Sequence, residues 1–188
     1  MKYFLDCKFI EDGRTIDLLS IALVCEDGRE YYRQNAGAKF QTASDWVWRN
    51  VFPHLEHFTM RGDRSCNRIQ PSLQSDITEA CHGKECPWRS RYQMRDEVKV
   101  FIDIEKNGKP EIWGYYSAYD WVAFCQLFGE MTDLPKGYPM FCRDIIQECK
   151  RLGNPELPKL DKGEYSALLD ARWNKQAYDF LQTLSNKT

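Results

Sequence analysis

The run Tyr3-Phe4-Leu5-Asp6-Cys7-Lys8-Phe9 constrains this chain more than any other stretch. Its aromatic and apolar residues predict a strand, and the Glu11-Asp12-Gly13 that follows leads into a second apolar run from Ile16 to Val24. Two such runs around a Gly-bearing turn predict a β-hairpin. Glu26-Asp27-Gly28 repeats the turn ahead of Tyr31 and Tyr32, so three antiparallel strands open the protein. Side chains alternate across a strand, which places Asp6 and Lys8 on one face and Cys7 on the other.

Further along, Ser44 is positioned to cap a helix over residues 45 to 51, with Asp45 in its first turn and Pro53 just past its end. Residues 54 to 87 lose all periodicity and carry Gly62, Pro71, Gly83 and Pro87. They predict a long irregular insertion within an otherwise single domain spanning residues 1 to 188, and long insertions in compact domains are usually functional or mobile. Ser90-Arg91-Tyr92-Gln93 has the form of a capping box and starts a helix through Met94, Val98, Phe101 and Ile102 that stops before Asn107-Gly108. A strand over Glu111 to Tyr116 leads to a helix from Ala118 to Phe128. The apolar residues around Met140 and Phe141 predict a last strand, followed by a helix from Arg143 to Leu152 that Gly153 ends. A final helix carries Ala167, Leu168, Ala171, Ala177, Phe180 and Leu181. Strands first, helices later and at least one strand-helix-strand unit define an α/β class built on one mixed sheet.

A chain of 188 residues suits one domain with a real core. It has no apolar run of membrane-spanning length and no signal-like amino terminus, so a cytoplasmic protein without a membrane partner is expected. Its eight cysteines then read as reduced thiols, with Cys7, Cys25, Cys125 and Cys149 in apolar, core-like contexts. The formal net charge of −2 argues against a surface coated for nucleic acid. Only residues 58 to 99 are net positive, with eight basic against six acidic side chains. Arg89, Arg91 and Arg95 in that segment are the candidates for phosphate contact.

Three carboxylates fall on otherwise apolar elements: Asp6 in the first strand, Asp120 at a helix start, and Asp170 in the last helix. A charge there is expensive to bury unless it is paired or metal-bound. In the insertion, Cys66, Cys81, His82 and Cys86 are either a structural zinc set or solvent-exposed thiols. The adjacent Cys81 and His82 are awkward for one tetrahedron.

The blocks Tyr3 to Ile16, Glu26 to Tyr32, Trp88 to Arg91, Trp113 to Asp120, Cys125 to Gly129 and Ala167 to Asn174, in that order, resemble the DEDD, or DnaQ-like, 3'-to-5' exonucleases. The nearest likeness within them is the small RNase-T-like exoribonuclease branch. The resemblance implies an RNase H-like mixed sheet flanked by helices, and a site in which four acids hold two divalent metals, magnesium or manganese, at the 3' end of single-stranded RNA or DNA. It places Asp6, Asp120 and Asp170 as metal ligands and catalytic residues. It sets Phe9 near the terminal bases, and Tyr116 flanks Asp120; such aromatic faces either stack on unpaired bases or belong to the ordinary core.

Two positions depart from the family pattern. Lys8 stands where the family has a Glu ligand, and Tyr165, five residues before Asp170, stands where it has a His base. A phenol near pKa ~10 is a poorer base at neutral pH than an imidazole near ~6.5. Lys8 reads either as part of a working metal centre or as an amine in a metal's place, pairing with Asp6 or Asp170. The histidines, His54, His57 and His82, lie in or beside the insertion and are not expected to replace the lost base. An enzyme of weakened activity, a binder of 3' ends, and an interaction protein using the insertion against a protein partner all follow from these departures. Relatives of this fold also suggest a homodimer.

Overall fold

The computed structural model describes residues 1–56, 86–160 and 165–185. Strand β1 (Lys2–Glu11) pairs antiparallel with β2 (Ile16–Cys25), which pairs antiparallel with β3 (Glu30–Asn35). This is the predicted three-stranded opening. On its other side β1 takes β5 (Glu111–Gly114) in parallel, and β5 takes β6 (Arg143–Asp144). With β4 (Trp88–Arg89) beside β3, the six strands run β4-β3-β2-β1-β5-β6. Helices flank this mixed sheet, as in an RNase H-like α/β domain.

Alternation along β1 divides the core in two. Tyr3, Leu5 and Cys7 pack with Met94, Val98 and Ile102 of α2 (Arg91–Ile102) and with Ala123 and Phe124 of α4 (Ala118–Cys125). Phe4 faces the opposite way, onto Ala167, Ala171, Ala177, Tyr178 and Leu181 of α6 (Ala167–Ser185) and onto α5 (Ile145–Arg151). Asp6 and Lys8 continue the Phe4 face and therefore look toward α6. A third cluster joins Ile10 and Leu19 to Val47 of α1 (Asp45–Asn50) and to Phe40 and Phe52. Between Lys8 and Phe9 the register slips by one, because β2 carries Leu19 as an extra residue.

The caps read from sequence are present. Ser44 accepts from the Val47 amide, and Ser90 and Gln93 form a reciprocal capping box. Two expectations are corrected. The helix predicted to stop just before Asn107 breaks at Asp103, which sits at φ 43 and caps a separate short turn, α3 (Ile104–Asn107). Asp tolerates the left-handed region and its carboxylate takes the Lys106 amide. The last strand is Arg143–Asp144, whereas Met140 and Phe141 are exposed and irregular. Their hydrophobicity misleads because a two-residue edge strand needs no apolar run to form. Most of the 54 to 87 insertion lies outside the described residues. Among those described, no helix is long and apolar enough to cross a membrane.

Strand β5 ends early, and that ending makes the site. Its pairing with β1 stops at Phe4↔Trp113, because the chain turns away after Gly114. An added Cβ on Gly114 would lie 2.6 Å from the Ser117 Cβ and 3.3 Å from the Leu5 carbonyl, so only glycine permits the approach. We expect Gly114→Ala to lower stability by about 1–3 kcal/mol, as overpacking does. Urea unfolding checks this, and an unchanged midpoint would show that the turn can widen at no cost.

Candidate active site

Past the end of β5 the open edge of β1 is satisfied by side chains. The Cys7 amide donates to Asp120 Oδ1 at 2.7 Å, and Asn174 Nδ2 donates to the Leu5 carbonyl at 2.8 Å. Helices from both faces of the sheet thus converge on this edge, α4 bringing Asp120 and α6 bringing Asp170 and Asn174. Asp170 lies in the first turn of α6, where the helix dipole favours a carboxylate.

Lys8 joins the group from β1. Its Nζ is 2.8 Å from Asp6 Oδ2 and 2.5 Å from Asp170 Oδ2, with all three side chains at most 16% exposed. Strand alternation accounts for the first contact, and the packing of α6 on the same face accounts for the second. A cavity of about 380 Å³ opens here, lined by Asp6, Lys8, Tyr115, Tyr165, Asp170 and Trp173 together with Leu160 and Asn174.

Electrostatics follow from one ammonium serving three buried acids. Burial, reinforced by the other two carboxylates, raises Asp6 well above the usual carboxylate range in spite of Lys8. Burial also pushes Asp120 up to about 6, against the stabilising Cys7 amide and Lys8. For Lys8 burial acts to lower the pKa, but Asp6 and Asp170 together outweigh it and hold the amine charged above the ordinary lysine value. Burial pushes the neighbouring thiols up as well, Cys7 well above its usual value and Cys142 to about 12, so they are inert at neutral pH.

The structure brings together Asp6, Lys8, Asp120, Asp170 and Tyr165. Tyr165 sits at φ 77, and its ring contacts those of Trp46 at 5.1 Å and His54 at 6.4 Å. His54, at the end of the turn Phe52–His54, is thus nearer the site than its chain position suggested. It does not line the cavity. His57 and His82 lie outside the described residues.

Phe9 stacks on Tyr119 at 6.0 Å and packs against the α2 and α4 side of the core. Tyr116 is exposed at φ 51, edge-on to Tyr115. Neither lines the cavity. Arg89 is held by Glu97 and by the Cys86 and Trp88 carbonyls, Arg91 by the Gln126 carbonyl and Asp17, and Arg95 by Asp96. They lie on β4 and α2, and none lines the cavity. Cys66, Cys81 and His82 fall outside the described residues, and Cys86 is buried in the third core cluster. Among the described residues no three His, Cys, Asp or Glu side chains are arranged to hold a metal ion.

Tyr115, Leu160, Trp173 and Asn174 were missed as site residues. Trp173 and Asn174 follow Asp170 by three and four positions on one helix, so helical spacing carried a signal for both. Tyr115 gave none, because the strand ends at Gly114 and alternation no longer decides which tyrosine faces inward.

No protein-family model matches the chain. Curated relatives do. Two proteins named 3'-5' exoribonuclease, from two strains of Mycobacterium tuberculosis, are each 38% identical over 172 residues, covering 92% of this chain and 88% of theirs. The chain belongs to the 3'-5' exoribonuclease family.

Proposed function

We propose that this protein is a DEDD-type exoribonuclease whose metal centre is replaced by an internal ion pair, so that it holds single-stranded RNA 3' ends and cuts them slowly or not at all. The observation that carries this reading is the Lys8 ammonium seated between Asp6 and Asp170. The RNA part rests on the names of the relatives.

The metals implied by the fold fit this donor set poorly. Asp6, Asp120 and Asp170 remain, but Lys8 occupies two of them and would repel a dication by about 8 kcal/mol at 4 Å and an effective dielectric near 20. When bound, divalent metals would supply the activated water and charge neutralisation for phosphodiester cleavage. The residues of this chain supply acceptors for a strand terminus, aromatic walls in Tyr115, Tyr165 and Trp173, and a phenol where a base would stand. DNA ends, a protein partner and self-association are not favoured by any contact described above.

The deciding experiment incubates wild-type protein with an end-labelled single-stranded RNA and millimolar manganese, which tolerates imperfect ligation better than magnesium does. Little or no shortening from the 3' end is expected. Robust turnover that Lys8→Ala abolishes would make the lysine a catalytic part and end this reading.

A further inference from the structure

Met140 and Phe141, left outside β6, line a groove of about 260 Å³ with Met131 and the mostly buried Trp121 of α4. Of the nine large hydrophobic side chains exposed among the described residues, six fall between Tyr116 and Phe141, and apolar surface concentrated in this way marks an interaction site. Methionine and aromatic side chains adapt readily to an incoming apolar group. The groove shares no lining residue with the carboxylate cavity, although Trp121 follows Asp120 directly on α4. The charge that borders it is acidic. Asp144 and Gln147 form its polar side, and Met131 sits on a turn flanked by the exposed carboxylates of Glu130 and Asp133. Arg143 is already committed, its guanidinium 5.6 Å from the ring centres of both Trp113 and Phe141 and its Nε 3.5 Å from Glu111. Lys136 belongs to a turn whose Gly137 abuts Ile104, and Lys150 stands one turn beyond Gln147 on α5. Among the described residues β6 is the last strand of the sheet, so its outer edge can take an added segment.

We infer that this groove docks a basic, extended segment of a protein partner. The segment sets one large apolar side chain between Trp121, Met131, Met140 and Phe141, and its flanking Lys or Arg against Asp144, Glu130 and Asp133. The volume favours a single side chain over a whole small molecule, because about 260 Å³ falls below the ~300–1,000 Å³ of small-molecule sites. One aromatic or aliphatic anchor in such a pocket is how protein interfaces concentrate affinity. The extended form follows from the edge of β6, since a peptide lying beside a sheet edge can add to it as a strand. The docking site stands apart from RNA binding and does not depend on it.

The test titrates wild-type protein into a short fluorescein-labelled peptide carrying one Trp flanked by lysines, and into two controls, one with Ser for the Trp and one with Glu for the lysines. By fluorescence anisotropy the parent peptide should bind at least about tenfold tighter than either control, and the advantage of the lysines should shrink with added salt. Met140→Ser combined with Phe141→Ser, both at exposed positions and checked for folding by circular dichroism, should erase the preference for Trp. Asp144→Asn retains an acceptor for the Ile146 amide that Asp144 caps, and should weaken the preference for lysine. Equal affinity for the lysine and glutamate peptides would overturn the basic partner. Binding unmoved by the Met140 and Phe141 changes would overturn the groove as its seat. Sedimentation of wild type alone should show a monomer; a dimer that the same two changes dissociate would give this face to a second copy of the chain and overturn the docking of a partner.

Discussion

Replacing Lys8 with Glu and Tyr165 with His together should give metal-dependent 3'-to-5' degradation of single-stranded RNA, at a rate at least about 10²-fold above wild type. In the wild-type site three carboxylates and one ammonium sum to a formal −2; Lys8→Glu makes it −4 and removes the cation paired to Asp6 and Asp170. The strand geometry is already correct for this, because the residue at position 8 projects from the same face as Asp6. Tyr165→His adds a group whose ordinary pKa is near ~6.5 at the cavity wall, and a matched general base contributes roughly 10²–10⁴ in rate. Position 165 is held at φ 77, a region in which His is found more readily than most side chains, so that change adds no backbone strain. Each single change should do less than the pair. The rate is read on denaturing gels with magnesium or manganese, against a chelator control. Metal-dependent shortening by Lys8→Glu alone, unchanged by the second substitution, would remove Tyr165 from the account. No gain from the double change would sink the idea that these two positions disabled an otherwise intact centre.

Much of this arrangement was legible before the fold was known, and the reasons differ by element. Period-two alternation in β1 is enough to place Asp6 beside Lys8, because a buried strand admits no other register for Tyr3, Leu5 and Cys7. The capping box at Ser90 announced α2 because reciprocal caps are local chemistry. The meeting of Lys8 with Asp170 is different: 162 positions separate them, and no periodicity links a strand to a helix that distant. Only the resemblance of the Ala167 to Asn174 block to a known motif put them in one site. The errors also have local causes. Asp103 ended α2 through a left-handed backbone that sequence periodicity does not register, and β6 is a two-residue edge held by its neighbour. Arg89, Arg91 and Arg95, the candidates for phosphate contact, are paired with Glu97, with the Gln126 carbonyl and Asp17, and with Asp96. Pairing of this kind is decided by tertiary packing that composition cannot express.

Lys8→Ala should destabilise the protein strongly at pH 8 and much less at pH 5. Removing one partner of a buried ionic group leaves the others uncompensated, at about 3–5 kcal/mol. In a chain of this size that corresponds to a fall in Tm of about 6 to 20 °C. The pH dependence follows from the direction of each shift. Lys8 is held charged above its ordinary value, so its contribution is complete below the unfolded lysine pKa of about 10.4 and is lost only as the pH climbs through the higher folded value. Asp6 is raised well above the carboxylate range and Asp120 to about 6. Their contributions are present below the unfolded value near 3.9 and are lost as the pH rises through the folded values. Wild type at pH 8 therefore bears the cost of these buried charges with Lys8 offsetting it. Without Lys8 the acids repel one another unopposed at pH 8, whereas at pH 5 Asp6 and Asp120 take up protons and the repulsion fades. Millimolar manganese should restore part of the lost Tm in Lys8→Ala while leaving wild type unchanged, since only the variant has carboxylates without a cation among them. Differential scanning calorimetry at the two pH values, with and without the metal, reads both effects. A deficit equal at pH 5 and pH 8 would mean that the lysine acts through packing of its methylene stem, and the electrostatic account of this site would have to be given up.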